Sequence, residues 1–235
     1  MATNKTNAAL RKQPAHEEQP SKWEEFFKKN KKMLLYVLCG IVLVIAGILL
    51  YHNFVAKPRA EKAATALGAC QELFNQQQFD KALKGDGAAV IGFIRVADDF
   101  GSTPSGNLAN YYAGLCYTQM GKWQEAVNYL EKFDPQDDQI VSPQSQMVLG
   151  DAYANVKQYD KAVDAFKRAA KLADKADVRG INTSVSPLAL RKAGVVLNEQ
   201  GKKDEALQLF KEIKQKYVAS PIALDIDKYI ELVTK

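Results

Sequence analysis

The stretch from Met33 to Val55 contains no charged residue, and Lys28, Lys29, Lys31 and Lys32 crowd the residues just before it. A helix of about 23 residues, rising roughly 1.5 Å per residue, is about 34 Å long, slightly more than a hydrocarbon core of about 30 Å. Fourteen residues of the run are Leu, Ile, Val or Phe, and each favours insertion by about 0.3–0.6 kcal/mol. The run therefore predicts a transmembrane helix over 33–55. A cleaved secretory signal has a shorter apolar core and small residues at its cleavage site. Here 32 residues precede the run and AKPRA follows it, which points to an uncleaved anchor.

Lys22 joins the four lysines before the run, whereas only Lys57, Arg59 and Lys62 follow it closely. That bias places the N-terminus in the cytoplasm and the rest of the chain across the membrane. Trp23, Phe26 and Phe27 recur at helical spacing, so a helix here would carry all three on one side at headgroup depth. The alternative is a disordered tail whose aromatics only brush the membrane. Residues 1–32 hold a net charge of +4 out of the chain's +5, so the remainder is almost neutral. It lacks the clustered cations that a nucleic-acid binder uses to displace counterions. Met1 to Pro20 has no apolar periodicity and is expected to be disordered, making residues 1–32 a basic, largely disordered cytoplasmic tail. Within the span, Cys39, Gly40 and Gly47 leave a strip of small residues that, with Val44, could form a helix-contact face in lipid.

After the span, Lys57 and Pro58 predict a short break. A helix is expected over about 60–77, with Ala64, Leu67, Cys70, Leu73 and Phe74 on one face. A loop bearing Gly85 and Gly87 comes next, then an amphipathic segment from Val90 to Phe100 capped by Gly101. Residues 56–105 read as a stalk and a degenerate first repeat, in which Phe79 and Ala82 keep repeat positions. Of three cysteines, Cys39 lies in the span. Cys70 and Cys116 suit burial as thiols, and their pairing is left open.

From residue 106 the chain repeats itself. The segments AGLCYTQMGKWQEAVNYL (113–130), LGDAYANVKQYDKAVDAF (149–166) and AGVVLNEQGKKDEALQLF (193–210) align without gaps. Gly114, Gly150 and Gly194 predict a close crossing of two helices, answered by Ala126, Ala162 and Ala206. Tyr117, Tyr153 and Leu197 fill the space between, while Trp123 and Tyr159 open the return helix. The offsets are 36 and then 44 residues, the longer one because DKADVRGINTSVSP is expected to form an extended connection. Pro221 to Val233 predicts a helix that seals the stack. The pattern resembles the tetratricopeptide repeat (TPR), a helix-turn-helix unit that stacks into a superhelix, over about Asn107 to Val218. Lys203 departs from it where an aromatic is usual. The expected fold is all-α: an N-terminal transmembrane helix (33–55), then a TPR-like α-solenoid over 106–235 with a C-terminal capping helix.

Nothing in the chain offers catalytic chemistry. The two histidines, His16 and His52, lie outside the repeats. No CxxC, HExxH, GxSxG or phosphate-binding loop occurs, and Asp98/Asp99 and Asp137/Asp138 read as solvated helix ends. No metal or cofactor site is expected. Stacked helix pairs instead line a concave groove with their first helices, and such grooves take peptides. By repeat position the groove comprises Leu108, Tyr111, Tyr112, Leu115 and Gln119, then Met147, Asp151 and Asn155, then Arg191, Val195 and Asn198. Any of these could equally be ordinary packing residues. The Lys/Asn/Arg clamp of repeat proteins that grip acidic chaperone tails is missing, which argues against a cytosol-facing import receptor.

A short cytoplasmic tail, one span and helical repeats together resemble the bacterial ancillary subunit family of the SecYEG translocon. STPSGNLANYYAG and KYVASPIALDIDKYI are also similar to joints in related periplasmic repeat proteins that coordinate envelope processes. The first resemblance implies an inner-membrane protein with a periplasmic domain, partnered by SecYEG and by a membrane-anchored periplasmic chaperone that carries a prolyl-isomerase domain. The second implies a scaffold for outer-membrane or cell-division machinery.

Overall fold

The computed structural model describes residues 22–235, and the disorder expected for Met1–Pro20 lies outside the described residues. Two compact units divide the chain, residues 1–55 and 56–235. Among the described residues every regular element is a helix.

In the first unit, α1 (Lys22–Lys29) is followed after Asn30 by α2 (Lys31–Tyr51). No residue of α2 is buried, and it is long and apolar enough to cross a membrane. Cys39 is exposed, and a Cβ on Gly40 or Gly47 would meet nothing within 4 Å, so the small-residue strip stands open. A π-helical turn, His52–Ala56, spans the unit boundary.

The second unit begins with α3 (Lys57–Asn75). Pro58 does not break the chain as expected but lies in the first turn of α3, where its missing N–H needs no partner. The helices then run α4 (Phe79–Lys84), α5 (Phe93–Phe100), α6 (Pro104–Gln119), α7 (Trp123–Leu130), α8 (Val141–Asn155), α9 (Tyr159–Ala176), α10 (Val185–Glu199), α11 (Lys203–Lys216) and α12 (Pro221–Thr234). Pairs α6–α7, α8–α9 and α10–α11 are the three aligned copies, and each packs on the next.

One turn recurs at every pair. The N–H of Gln78, Lys122, Gln158 and Lys202 donates to the carbonyl of Leu73, Tyr117, Tyr153 and Leu197 respectively, at 2.9 Å in each case. The residue before each donor is left-handed: Gln77 (φ 60), Gly121 (φ 69), Lys157 (φ 61) and Gly201 (φ 75). This is the Schellman closure of a helix. Its recurrence at Gln77 assigns α3 and α4 to the same unit type and places Cys70 where the other copies have glycine.

The crossing glycines are as close as expected, and the side chain that comes nearest to each is the one sixteen residues on. A Cβ on Gly114 would lie 2.4 Å from Leu130, on Gly150 2.6 Å from Phe166, and on Gly194 2.3 Å from Phe210. Ala126, Ala162 and Ala206 are fully buried beside them. The large side chain sixteen residues after each glycine occupies the space that a glycine Cβ would fill. Phe166 and Phe210 are each 1 % exposed, burial worth about 1.5–3 kcal/mol per ring.

Three boundaries also differ from expectation. Gly92 (φ 84) starts α5 at Phe93, leaving Val90 and Ile91 in the loop. Gly101 ends α5 with a right-handed φ of −54, and glycine is needed there because a Cβ would lie 2.9 Å from the Ala97 carbonyl oxygen. The connection after α9 is shorter than expected, since α9 runs to Ala176 and α10 starts at Val185.

Helix α12 has the register of a first helix, with Pro221 placed like Pro143 and Pro187. Lys228 stands at its glycine position and Glu231 at its tyrosine position, both exposed. Ile226 and Val233 bury against the stack, and Lys214 of α11 pins Asp227 at 2.6 Å. The opposite face carries charge where a return helix would need a bare backbone, as a cap requires.

Candidate functional site

Helices α6, α8 and α10 lie side by side as the first helices of successive pairs, and they carry all eleven expected groove residues. On α6, Tyr111 is buried, its ring 5.7 Å from Phe133 and 5.6 Å from Tyr112. Burial, with Tyr112 and Asp138 adding to it, pushes the Tyr111 hydroxyl up to about 12, so it stays neutral. Tyr112 stacks on Phe93 at 5.2 Å and meets Phe74 edge-on at 5.5 Å, joining α6 to α3 and α5. Leu108 and Leu115 are half-buried, and Gln119 is exposed at the helix end.

On α8, Met147 is buried. Asp151 is half-buried and Asn155 exposed, the Asn155 amide donating to the Asp151 carbonyl at 2.8 Å. On α10, Val195 is exposed and Asn198 half-buried. The Arg191 guanidinium lies over the ring of Tyr229 on α12 at 5.7 Å. Two partners were missed in the sequence. Lys192 donates to both carboxylate oxygens of Asp151, at 2.7 and 2.9 Å, joining α8 to α10. Tyr229 receives Arg191 and extends the row onto α12. No local signal marks the Lys192 pair, since its two members belong to different repeats.

The surface these helices present thus holds Leu108 and Leu115 on α6, Val195 on α10, and the Asp151–Lys192 ion pair joining α8 to α10. At its α6–α8 end a cavity of about 550 Å³ opens between Thr103, Asn107, Leu108, Phe133, Asp138 and Val141 among others. Asn107 is spent on the backbone: its amide donates to the Asp134 carbonyl and accepts from the Asp134 N–H, both at 2.8 Å. Asp138 accepts from the N–H groups of Ile140, Val141 and Ser142. Burial would raise its pKa, but these bonds and the Ser142 hydroxyl hold it below the ordinary value. Asn107 and Asp138 are thus engaged within the chain, while Ser102 and Lys132 also line the cavity.

Among the described residues no group of three or more His, Cys, Asp or Glu could hold a metal ion. Cys70 and Cys116 are both free and buried. Burial raises the Cys70 thiol and pushes that of Cys116 up to about 12, so neither is a ready nucleophile.

A family model described as the Suppressor of spindle checkpoint defect 1 C-terminal domain matches residues 113–220, a little under half of the chain. No curated protein matches it. Among solved structures, the nearly identical TPR-like repeats of a kinesin-light-chain-like protein from Podosopora anserina superpose with a TM-score of 0.54 at 15% identity, covering 74% of this chain and 86% of that one. The MamA protein superposes with a TM-score of 0.50 at 18% identity, covering 74% of this chain and 90% of its own. At such identities the likeness concerns the fold. The protein is a TPR-like α-solenoid with one N-terminal helix capable of spanning a membrane.

Proposed function

We propose that the protein is a membrane-tethered interaction module in which the first helices of the repeats bind another polypeptide. The observation that carries this reading is the row of partly open side chains along α6, α8 and α10, bounded by Leu108 and Gln119 at one side and by Val195 and Asn198 at the other. A surface of this kind offers apolar contact and backbone-length spacing without reactive groups, which suits an extended or helical peptide. The lysine bias before α2 supports an inner-membrane protein with a cytoplasmic N-terminus and periplasmic repeats. In that compartment the most economical role is ancillary to the SecYEG translocon, with Cys39, Gly40, Val44 and Gly47 docking in the membrane. The repeats would then meet a membrane-anchored chaperone with a prolyl-isomerase domain, or an emerging chain.

A second reading, a scaffold for outer-membrane or cell-division machinery, draws on the joints before α6 and α12. Thr103 and Ser220 cap these helices through their side chains, and Pro104 and Pro221 occupy their first turns. Photocrosslinking in intact cells separates the two. A photoreactive residue at Val44 is expected to capture a Sec subunit, and one at Val195 a periplasmic chaperone or secreted chain. Capture of division or outer-membrane components at Val195, with no Sec subunit at Val44, would replace the first reading by the second. Protease added to spheroplasts should remove the repeats; their full protection would overturn the orientation.

A further inference from the structure

The basic segment before the span does more than set topology: we infer that α1 and the start of α2 form a binding site for anionic phospholipid headgroups. Around α1, Trp23, Phe26 and Phe27 fall within about 100° of arc, and Lys28 and Lys29 lie outside it. Among the described residues the aromatic arc is left open, Trp23 being 74% exposed and Phe27 56%. The two phenylalanine rings meet edge-on at 6.1 Å and form one apolar ridge with the indole. Asn30 (φ −106, ψ 15) interrupts the helix between this ridge and the span. Both its backbone N–H and its side-chain amide donate to the Phe26 carbonyl, at 3.0 Å, so α1 is closed off as a separate segment.

Lys28, Lys29, Lys31 and Lys32 are exposed on either side of that break. The segment 22–32 carries five lysines against two glutamates. An aromatic ridge beside a cluster of lysines, joined directly to a span, matches the two demands of a charged interface. The rings enter the acyl boundary, and the ammonium groups stay among the headgroup phosphates. The occupant is therefore an anionic bilayer surface rather than a soluble phosphate, because a free anion would leave the ridge in water.

This inference rests on α2 spanning the bilayer, and the test keeps the two apart. The full chain carrying Trp123→Phe, a change to the residue type already found at Phe79, has Trp23 as its only indole. It is reconstituted into vesicles of phosphatidylcholine with phosphatidylglycerol at about one part in three, and either lipid is brominated in turn. Quenching of Trp23 by brominated phosphatidylglycerol should exceed that expected from its abundance by at least about threefold. The preference should fall to parity in high salt and in the variant with Lys28, Lys29, Lys31 and Lys32 all changed to Gln. Because the vesicle leaflets are alike, the orientation of the protein does not enter. Parity in the parent, or a preference that survives the four substitutions, overturns the proposal and leaves a protein partner as the occupant of the ridge. Failure of the span itself would look different, since the protein would not float with the vesicles at all.

Discussion

The pair α8–α9 and the pair that α3 makes with α4 and α5 share one turn geometry, yet only the first has an unbroken return helix. In α8–α9 the bare backbone of Gly150 receives the ring of Phe166, sixteen residues on. That contact draws the return helix across the first for its whole length. In the earlier pair Cys70 holds the glycine position, and the residue sixteen further on is Asp86. The return helix stops at Lys84 and resumes at Phe93. Asp86 spends its carboxylate on the N–H groups of Ala88, Ala89 and Val90, each at 2.9 Å. The crossing glycine and the large side chain sixteen residues on thus act as one device, and in the pair where both are absent the return helix opens into a loop.

The largest expected effect comes from filling a crossing. Gly194→Ala puts a methyl 2.3 Å from a Phe210 ring atom in a fully packed site, and should cost about 2–4 kcal/mol of stability, read from thermal unfolding. Gly68→Ala is the contrast. Its Cβ would meet nothing within 4 Å in an exposed turn of α3, so the same change should stabilise by about 0.5–1 kcal/mol. Equal effects at the two sites would break the comparison.

A second contrast sets Asp174 against Asp86. Asp174 ties α9 to α10 and α11: it accepts from the Asn182 N–H (2.8 Å), Ser186 (2.6 Å), Lys216 (2.6 Å) and Tyr217 (2.7 Å). Burial acts to raise its pKa, but these four donors outweigh it and hold the value below 3.8. Asp174→Ala should lose about 3 kcal/mol, since it strands buried donors, whereas Asp86→Ala affects only an exposed loop. With a depressed folded pKa, the Asp174 contribution is complete above the ordinary aspartate range and is lost as pH falls through the folded value. The gap in melting temperature between parent and variant should therefore be flat near neutrality and close only in strong acid. A gap that closes between pH 5 and 7 would assign the effect to another group.

Much of this was legible in the residues because it is periodic. The span announces itself by length and the absence of charge, and the three copies, each with Leu or Phe sixteen residues after its glycine, by repetition. What could not be read were contacts between repeats. Asp151 and Lys192 lie 41 positions apart, and no local period links them. Nor could the sequence tell that Tyr112, placed in the groove by register, also stacks on Phe93 from an earlier pair. The break at Lys57–Pro58 was misjudged for a local reason, since proline punctuates a helix interior but suits its first turn. That Leu130, Phe166 and Phe210 come nearest to the glycines is a matter of geometry, which the recurrence of alanine and of a large residue in every copy does not decide.

Restoring glycine in the first pair tests whether the device needs both members. Cys70→Gly recreates the bare crossing without supplying a ring to fill it. It should lower stability by about 2 kcal/mol through a small cavity and a helical glycine. A gain would mean that close approach alone suffices.

The smallest effect concerns the turn rather than the crossing. Lys157 holds a left-handed φ of 61 at the place where two other copies have Gly121 and Gly201. A side chain there costs about 1 kcal/mol relative to glycine, and part of that is returned because glycine is freer in the unfolded chain. Lys157→Gly should thus stabilise by about 0.5 kcal/mol. Neighbouring Asp160 and Lys161 pair with Lys202 and Glu131, so among the described residues no charged contact of the turn is lost with Lys157. A neutral or destabilising result would mean that the lysine contributes something beyond the turn, and the groove end beside Asn155 is where to look for it.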